Sequence, residues 1–210
     1  MALQDLIDLS KNRKTKKIGI SEERIEAVKP VLRQYFAFWR EYSDLFVDFM
    51  QTGGDPDKPL TFRLFFYQRC FLRIGMRYKY VYAVYPRAYS KSFLSALIQM
   101  IRAILYPGAQ LFTTAGGKEQ AATILSEKIN DICTKIPAFR KEIDWSRGAT
   151  QEGKDHCLYK FKSGSTIENV AARESSRGIR KHGGVIEECV GVDQKMLQEV
   201  IIPRCWGFVA

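Results

Sequence analysis

The chain has 210 residues, 46% of them apolar, with a formal net charge of +10 and a pI near 9.4. That is enough apolar material for one good core, or for one domain with a helical extension, and it points to a globular protein. No uninterrupted apolar run reaches the roughly 18–20 residues of a membrane span, and Met1-Ala2-Leu3-Gln4-Asp5 does not open a signal peptide, so the expectation is a cytosolic protein with no membrane partner.

The five cysteines, Cys70, Cys133, Cys157, Cys189 and Cys205, form no C-x-x-C pair, and the only histidines are His156 and His182. Neither a disulfide framework nor a zinc site is indicated, and the cysteines read as reduced structural thiols. The positive charge favours a polyanionic partner, because each phosphate neutralised by Lys or Arg releases counterions.

In chain order, Lys11-Asn12-Arg13-Lys14-Thr15-Lys16-Lys17 is a basic arm, either a solvated tail or a nucleic-acid contact. Ser21 can cap a helix whose first turn carries Glu22 and Glu23, and Pro30 is expected to interrupt or restart it. Leu32, Tyr35, Phe36, Trp39, Phe46 and Phe49 then fall near helical spacing and form a packing face. The turn-rich stretch Gly53-Gly54-Asp55-Pro56-Asp57-Lys58-Pro59 divides this lead, residues 1–60, from a second region, residues 61–210.

In that second region a helix is expected over about 66–75 and a buried strand over Tyr80-Val81-Tyr82-Ala83-Val84. A loop and a largely buried helix follow, the helix ending near Leu105. Next come a strand at 110–114 and an amphipathic helix over 118–135 that stops near Pro137. Residues 157–162 and 166–170, joined by Ser163-Gly164-Ser165, read as a hairpin, and Gly183-Gly184-Val185-Ile186 as a short strand leading into Glu187-Glu188. Strands alternating with helices imply an α/β fold whose ligand lies at the carboxyl edge of the sheet.

The chemistry concentrates in Tyr85-Pro86-Arg87-Ala88-Tyr89-Ser90-Lys91-Ser92, where a predicted strand empties into a Lys-Ser pair that opens a helix. Amides at a helix start can hold a polyphosphate, a lysine can reach its outer phosphates, and a serine hydroxyl can ligate Mg2+. The full pattern G-x-x-x-x-G-K-[ST] would place glycines where Tyr85 and Ser90 stand, so an ordinary strand-to-helix turn is the competing reading. Lys162-Ser163 repeats the dipeptide on what reads as hairpin surface. Downstream, Glu187 and Glu188 can supply one acid for a metal and one for an attacking water; alone, such a pair is a charged surface turn.

Together these segments resemble the ATPase part of large terminase subunits, the DNA-packaging motors of tailed bacteriophages, over about residues 60–204. Phe66-Tyr67-Gln68-Arg69 resembles the family's adenine-recognising Q motif, and residues 86–92 its variant Walker A with an early arginine. Thr113-Thr114-Ala115-Gly116-Gly117 resembles the segment after the second core strand, Ser176-Arg177-Gly178-Ile179-Arg180 the S-R-G stretch, and Val185-Ile186-Glu187-Glu188 the Walker B motif.

The resemblance implies a P-loop NTPase fold of ASCE type, a mostly parallel sheet flanked by helices with an N-terminal helical extension. It implies ATP and Mg2+ as ligands, with Tyr67 and Gln68 at the base and Arg87, Ala88, Tyr89, Ser90, Lys91 and Ser92 around the phosphates. Ser92 and Glu187 would hold the metal and Glu188 would activate water; Glu187 stands where the family usually has Asp. Arg87 would act in cis on transition-state charge or as a γ-phosphate sensor. Arg177 would be a finger for a neighbouring subunit, or with Arg180 a basic loop touching solvent or DNA backbone. The implied partners are double-stranded DNA, a portal, a small terminase subunit and further copies in a ring, in the cytoplasm of an infected bacterium and transiently at the procapsid.

The family continues past Walker B into a coupling motif, more core strands and an RNase H-like nuclease domain, whereas this sequence ends at Ala210. Nuclease activity is therefore not expected. Residues 205–210 do not resemble the continuation, as after an engineered stop, in a gene fragment, or where an intron or an intein beginning at Cys205 interrupts the coding sequence. Two other readings accompany the packaging ATPase: a helicase-like DNA translocase, and a truncated, non-catalytic product that binds DNA or motor partners.

Overall fold

The computed structural model describes residues 22–171 and 181–202. The basic arm, the Ser21 cap, the S-R-G stretch with Arg177 and Arg180, and Cys205 lie outside the described residues.

Helices α1 (Glu22–Glu41) and α2 (Ser43–Thr52) lead the chain, and Pro30 sits inside α1 without breaking it. The expected interruption comes instead at Tyr42, whose φ of −114° and ψ of 61° leave the helical region. Glu26, whose carbonyl loses its partner when residue 30 is proline, is exposed, so water can satisfy it. The aromatic stripe packs as expected at Trp39 and Phe46, both buried, while Tyr35 stays 53% exposed with its ring 5.6 Å from Trp39.

Helix α3 (Phe66–Arg77) lies against α2 through a charge cluster. Arg73 Nε donates to Asp44 Oδ1 at 2.6 Å, and Arg69 Nη1 to Asp48 Oδ2 at 2.8 Å and to Asp44 Oδ2 at 3.2 Å. Both pairs are spaced by four, so two acids on one helix face two arginines on the other. Burial would raise the Asp44 carboxyl, but the hydrogen bonds from Arg73 and Arg69 outweigh it and hold that carboxyl below its usual range.

The remaining elements are α4 (Lys91–Leu105), β1 (Gln110–Thr114), α5 (Lys118–Lys135), α6 (Pro137–Glu142), β2 (Gln151–Glu152), β3 (Cys157–Lys160), β4 (Thr166–Asn169) and β5 (Gly183–Ile186). A 3-10 turn (Cys189–Gly191), the short α7 (Gln194–Met196) and a π turn (Leu197–Ile201) close the described chain. Among the described residues no helix is long and apolar enough to cross a membrane.

The protein is thus mixed α/β, with the strands of its sheet ordered β2-β3-β4-β1-β5. The expected sheet was mostly parallel; the observed one is mixed. β1 runs parallel to β4 and β5 because helical or long connections join them, whereas the tight turn between β3 and β4 forces an antiparallel pair. Helices α4 and α5 cover one face over Leu111 and Ile167, and Trp39, Phe46 and Val47 from the helical lead join the same core. On the other face Phe112 and Val170 pack with Val192 and Ile201. This division follows from β1, whose successive side chains alternate between faces.

One expected strand does not form. Residues 80–84 form no strand and pair with none among the described residues, and Tyr80, Tyr82 and Val84 are 58%, 77% and 76% exposed. An apolar pattern predicts burial only where a neighbouring strand and a covering layer exist. Among the described residues β5 is the last strand of the sheet, and none of them pairs with its outer edge.

Candidate functional site

The loop between residue 85 and α4 has an unusual backbone. Ala88 has a φ of 67° and Ser90 a φ of 56°, two non-glycine residues in the left-handed region within three positions. Each such residue costs on the order of 1–3 kcal/mol, and strain of this kind concentrates at ligand sites. Ser90 occupies the second glycine position of the phosphate-loop pattern, which explains why glycine suits that place; Tyr85, at the first, is not left-handed. Alternating left- and right-handed residues turn successive amides into a concavity suited to anions.

The loop opens α4, 15 residues long, whose first helical bond runs from Leu94 N to Ser90 O at 2.9 Å. The amides of Lys91, Ser92 and Phe93 therefore have no intrahelical carbonyl, and the helix dipole favours negative charge beside them.

β5 brings acids to this loop. Glu187 N donates to Thr114 O at 2.8 Å, fixing the end of β5 against the end of β1. The register depends on Gly184, because a Cβ there would lie 2.4 Å from the Phe112 ring. Glu187 is buried, and the Ser92 hydroxyl donates to its Oε2 at 3.0 Å. Glu188, in the left-handed region at φ 51°, is exposed and accepts from Gln120 Nε2 at 3.0 Å.

Gln120 was not legible as a site residue, since an amide in the first turn of an amphipathic helix has no distinguishing spacing. Gly116 gives a retrospective signal: a Cβ there would come 3.3 Å from the Gly191 carbonyl, so glycine lets the turn after Glu188 approach α5.

Two cavities meet at Lys91. One, of about 490 Å³, is lined by Gln68, by residues 88–92 and by Lys128 and Lys135 of α5. The other, of about 720 Å³, is lined by Lys91, Glu187 and Glu188 together with residues 80–85. Gln68, Ala88, Tyr89, Ser90, Lys91, Ser92, Glu187 and Glu188 are therefore gathered around one region. Arg87 is exposed at the loop and lines neither cavity, and Arg177 lies outside the described residues.

Gln68 is buried, accepting from Phe65 N at 2.9 Å through Oε1 and donating to the Tyr67 hydroxyl at 3.4 Å through Nε2. Its amide thus organises the start of α3. Tyr67 packs between Phe65, with near-parallel rings at 6.1 Å, and Tyr89 at 5.5 Å. Burial pushes the phenol of neighbouring Tyr85 above its ordinary pKa, so it stays neutral.

The oxygen set suits Mg2+. Ser92 Oγ and Glu187 Oε2 are hard donors 3.0 Å apart, and no cluster of three or more His, Cys, Asp or Glu side chains exists among the described residues. Mg2+ characteristically takes few protein oxygens, completing its shell with water and substrate phosphates.

Against known proteins, no family model and no curated protein matches the chain. Among solved structures, it is similar to the large terminase ATPase domain of Thermus phage P74-26 at 16% sequence identity and a TM-score of 0.44. The match covers 59% of this chain and 55% of that one, so it spans about half the length of the solved domain.

Proposed function

We propose that the chain is the ATPase region of a viral DNA-packaging motor. The observation that carries this reading is the hydrogen bond between Ser92 and Glu187, which joins residues 95 apart where a strained loop, a helix N-terminus and a pair of acids converge. A charged surface turn gives no reason for a serine in the first turn of α4 to seek a buried carboxylate at the end of β5.

The triphosphate of ATP would lie along residues 86–92, held by loop amides and by the Lys91 ammonium. Ser92 and Glu187 would hold Mg2+, which when bound neutralises charge on the β- and γ-phosphate oxygens. Glu188 would orient water toward the γ-phosphorus and take its proton as the water oxygen bonds to phosphorus and the bridging P–O bond breaks. Gln120 fixes one Glu188 oxygen, leaving the other for the water. Tyr67 and Tyr89 offer aromatic faces beside Gln68 for the base. Arg87 would act in cis on transition-state charge or as a γ-phosphate sensor, and Arg177 is assigned to a neighbouring subunit.

The net charge of +10 supports a DNA phosphate backbone as the polyanion. A ring of copies at a portal, with a small terminase subunit, belongs to the same proposal. Glu188→Gln should retain Mg-ATP binding while losing about 10²–10⁴-fold in turnover, the range of general-base catalysis. Lys91→Ala should lose both binding and turnover. DNA-stimulated hydrolysis at the parental rate in Lys91→Ala would overturn the reading.

A further inference from the structure

The cavity of about 490 Å³, within the size range of small-molecule sites, has a wall with unspent charge. Gln68 and Tyr89, assigned above to the base, line it together with Lys91 and Ser92, assigned to phosphate and metal. The wall they share the cavity with is one face of α5, at Lys128, Asp131 and Lys135. Residues spaced by three and by four lie on one side of a helix, here over about 10 Å.

Lys128 is half-buried and makes no hydrogen bond among the described residues, where its one ion-pair contact, with Glu127 Oε2, is 3.8 Å long and beyond hydrogen-bond reach. An ammonium so placed, in a concavity that already holds Lys91 and the amides of a helix start, calls for a further anionic acceptor. Asp131 is also half-buried. Lys135 Nζ donates to its Oδ1, and Oδ2 accepts from no donor among the described residues. A carboxylate has lone pairs on both oxygens, so Oδ2 can take a hydroxyl proton from a ligand.

The order of groups along α5 matches the order along a nucleotide. Gln120, near the start of α5, holds Glu188, the residue assigned to the γ-phosphate end. Lys128 follows about two turns later and Asp131 almost one turn beyond it. Lys135 lies over the Phe93 ring at 5.6 Å, and Phe93 packs on Phe62 with ring centroids 5.5 Å apart. From the γ-phosphate a nucleotide continues through α-phosphate and ribose to the base. A carboxylate repels phosphate and accepts from hydroxyls, so Asp131 marks where the anionic tail ends and the sugar begins.

We propose, on the basis of the triphosphate reading of the loop, that Lys128 donates to the α-phosphate and that Asp131 accepts from the ribose 2′-hydroxyl. The ligand is thereby a ribonucleoside triphosphate, preferred over its 2′-deoxy counterpart.

Calorimetric titration of the full 210-residue chain with Mg-ATP, Mg-2′-deoxy-ATP and Mg-tripolyphosphate tests it. The parent should bind ATP about 10-fold more tightly than 2′-deoxy-ATP, the worth of one charge-assisted hydrogen bond. Asp131→Ala should weaken ATP about 10-fold and bring the ratio near one, with 2′-deoxy-ATP and tripolyphosphate bound no more weakly than by the parent. Lys128→Gln should weaken ATP and 2′-deoxy-ATP equally, by about 10-fold, and keep their ratio. Alanine and glutamine are good helix formers, so both variants should melt with the parent.

Equal affinity of the parent for the two nucleotides, or a parental ratio in Asp131→Ala, would overturn the sugar contact while tripolyphosphate binding leaves the loop reading standing. Parental ATP affinity in Lys128→Gln would remove the α-phosphate contact. A parent that binds neither ATP nor tripolyphosphate would overturn the loop reading and the α5 wall with it.

Discussion

Replacing Gly184 by alanine tests whether the acids are delivered by a tightly fitted strand. The new Cβ would sit 2.4–2.5 Å from three carbons of the Phe112 ring, which is only 1% exposed. Carbon atoms pack at about 3.5–4.0 Å, so ring and strand must separate by roughly 1 Å. Overpacking of this size costs about 1–3 kcal/mol, partly offset by the roughly 0.5–1 kcal/mol that alanine gains over glycine within a strand. The net expectation is a loss of about 1–2 kcal/mol, read as a fall in Tm of about 2–8 °C for a domain of this size. Thermal and urea unfolding measure it, and Phe112→Leu in the same chain should recover part of the loss by freeing volume. Because β5 carries Glu187, Mg-ATP affinity should fall with stability. A Tm equal to or above the parent's would refute the strand fit and, with it, the explanation for how the acids are held.

At neutral pH Asp44→Asn should cost about 2–3 kcal/mol by weakening three charge-assisted hydrogen bonds, one from Arg69 and two from Arg73. The Asp44 pKa is lowered on folding, so its contribution is present above the unfolded value near 3.9 and is lost as pH falls through the lower folded value. The stability difference between parent and variant should therefore narrow in acid. Gln99→Leu removes the buried donor to Phe112 O and Thr113 Oγ1 and should cost about 1–3 kcal/mol in urea unfolding. Burial pushes the Cys133 thiol up to about 11 and Cys157 up to about 12, so at pH 8 both should resist alkylation in the native protein while half-buried Cys189 reacts.

Helices 91–105 and 118–135 follow closely from periodicity, because their buried apolar positions pack into one core, and strand 110–114 is legible as a short run buried on both faces of the sheet. The Lys91-Ser92 and Glu187-Glu188 pairs were legible for a different reason: each stands at an element end, where side chains leave the packing. Pro30 misled because the cost of an interior proline depends on whether water can reach the freed carbonyl, and Glu26 is exposed only as a consequence of the tertiary fold. The stretch 80–84 misled because strand burial belongs to the sheet rather than to the segment. β2, two residues long, carries no periodic signal at all. Gln120 and the left-handed Ala88 are visible only in three dimensions, since neither residue type announces its role.

The central claim, that Ser92 and Glu187 act as one metal-dependent site, is met most directly by a double-mutant cycle on Mg-ATP affinity with Ser92→Ala, Glu187→Ala and the pair. Residues sharing one ion lose their common interaction once, so the double variant should bind about as weakly as the worse single variant. Strictly additive losses, or single variants that bind Mg-ATP like the parent, would contradict the account.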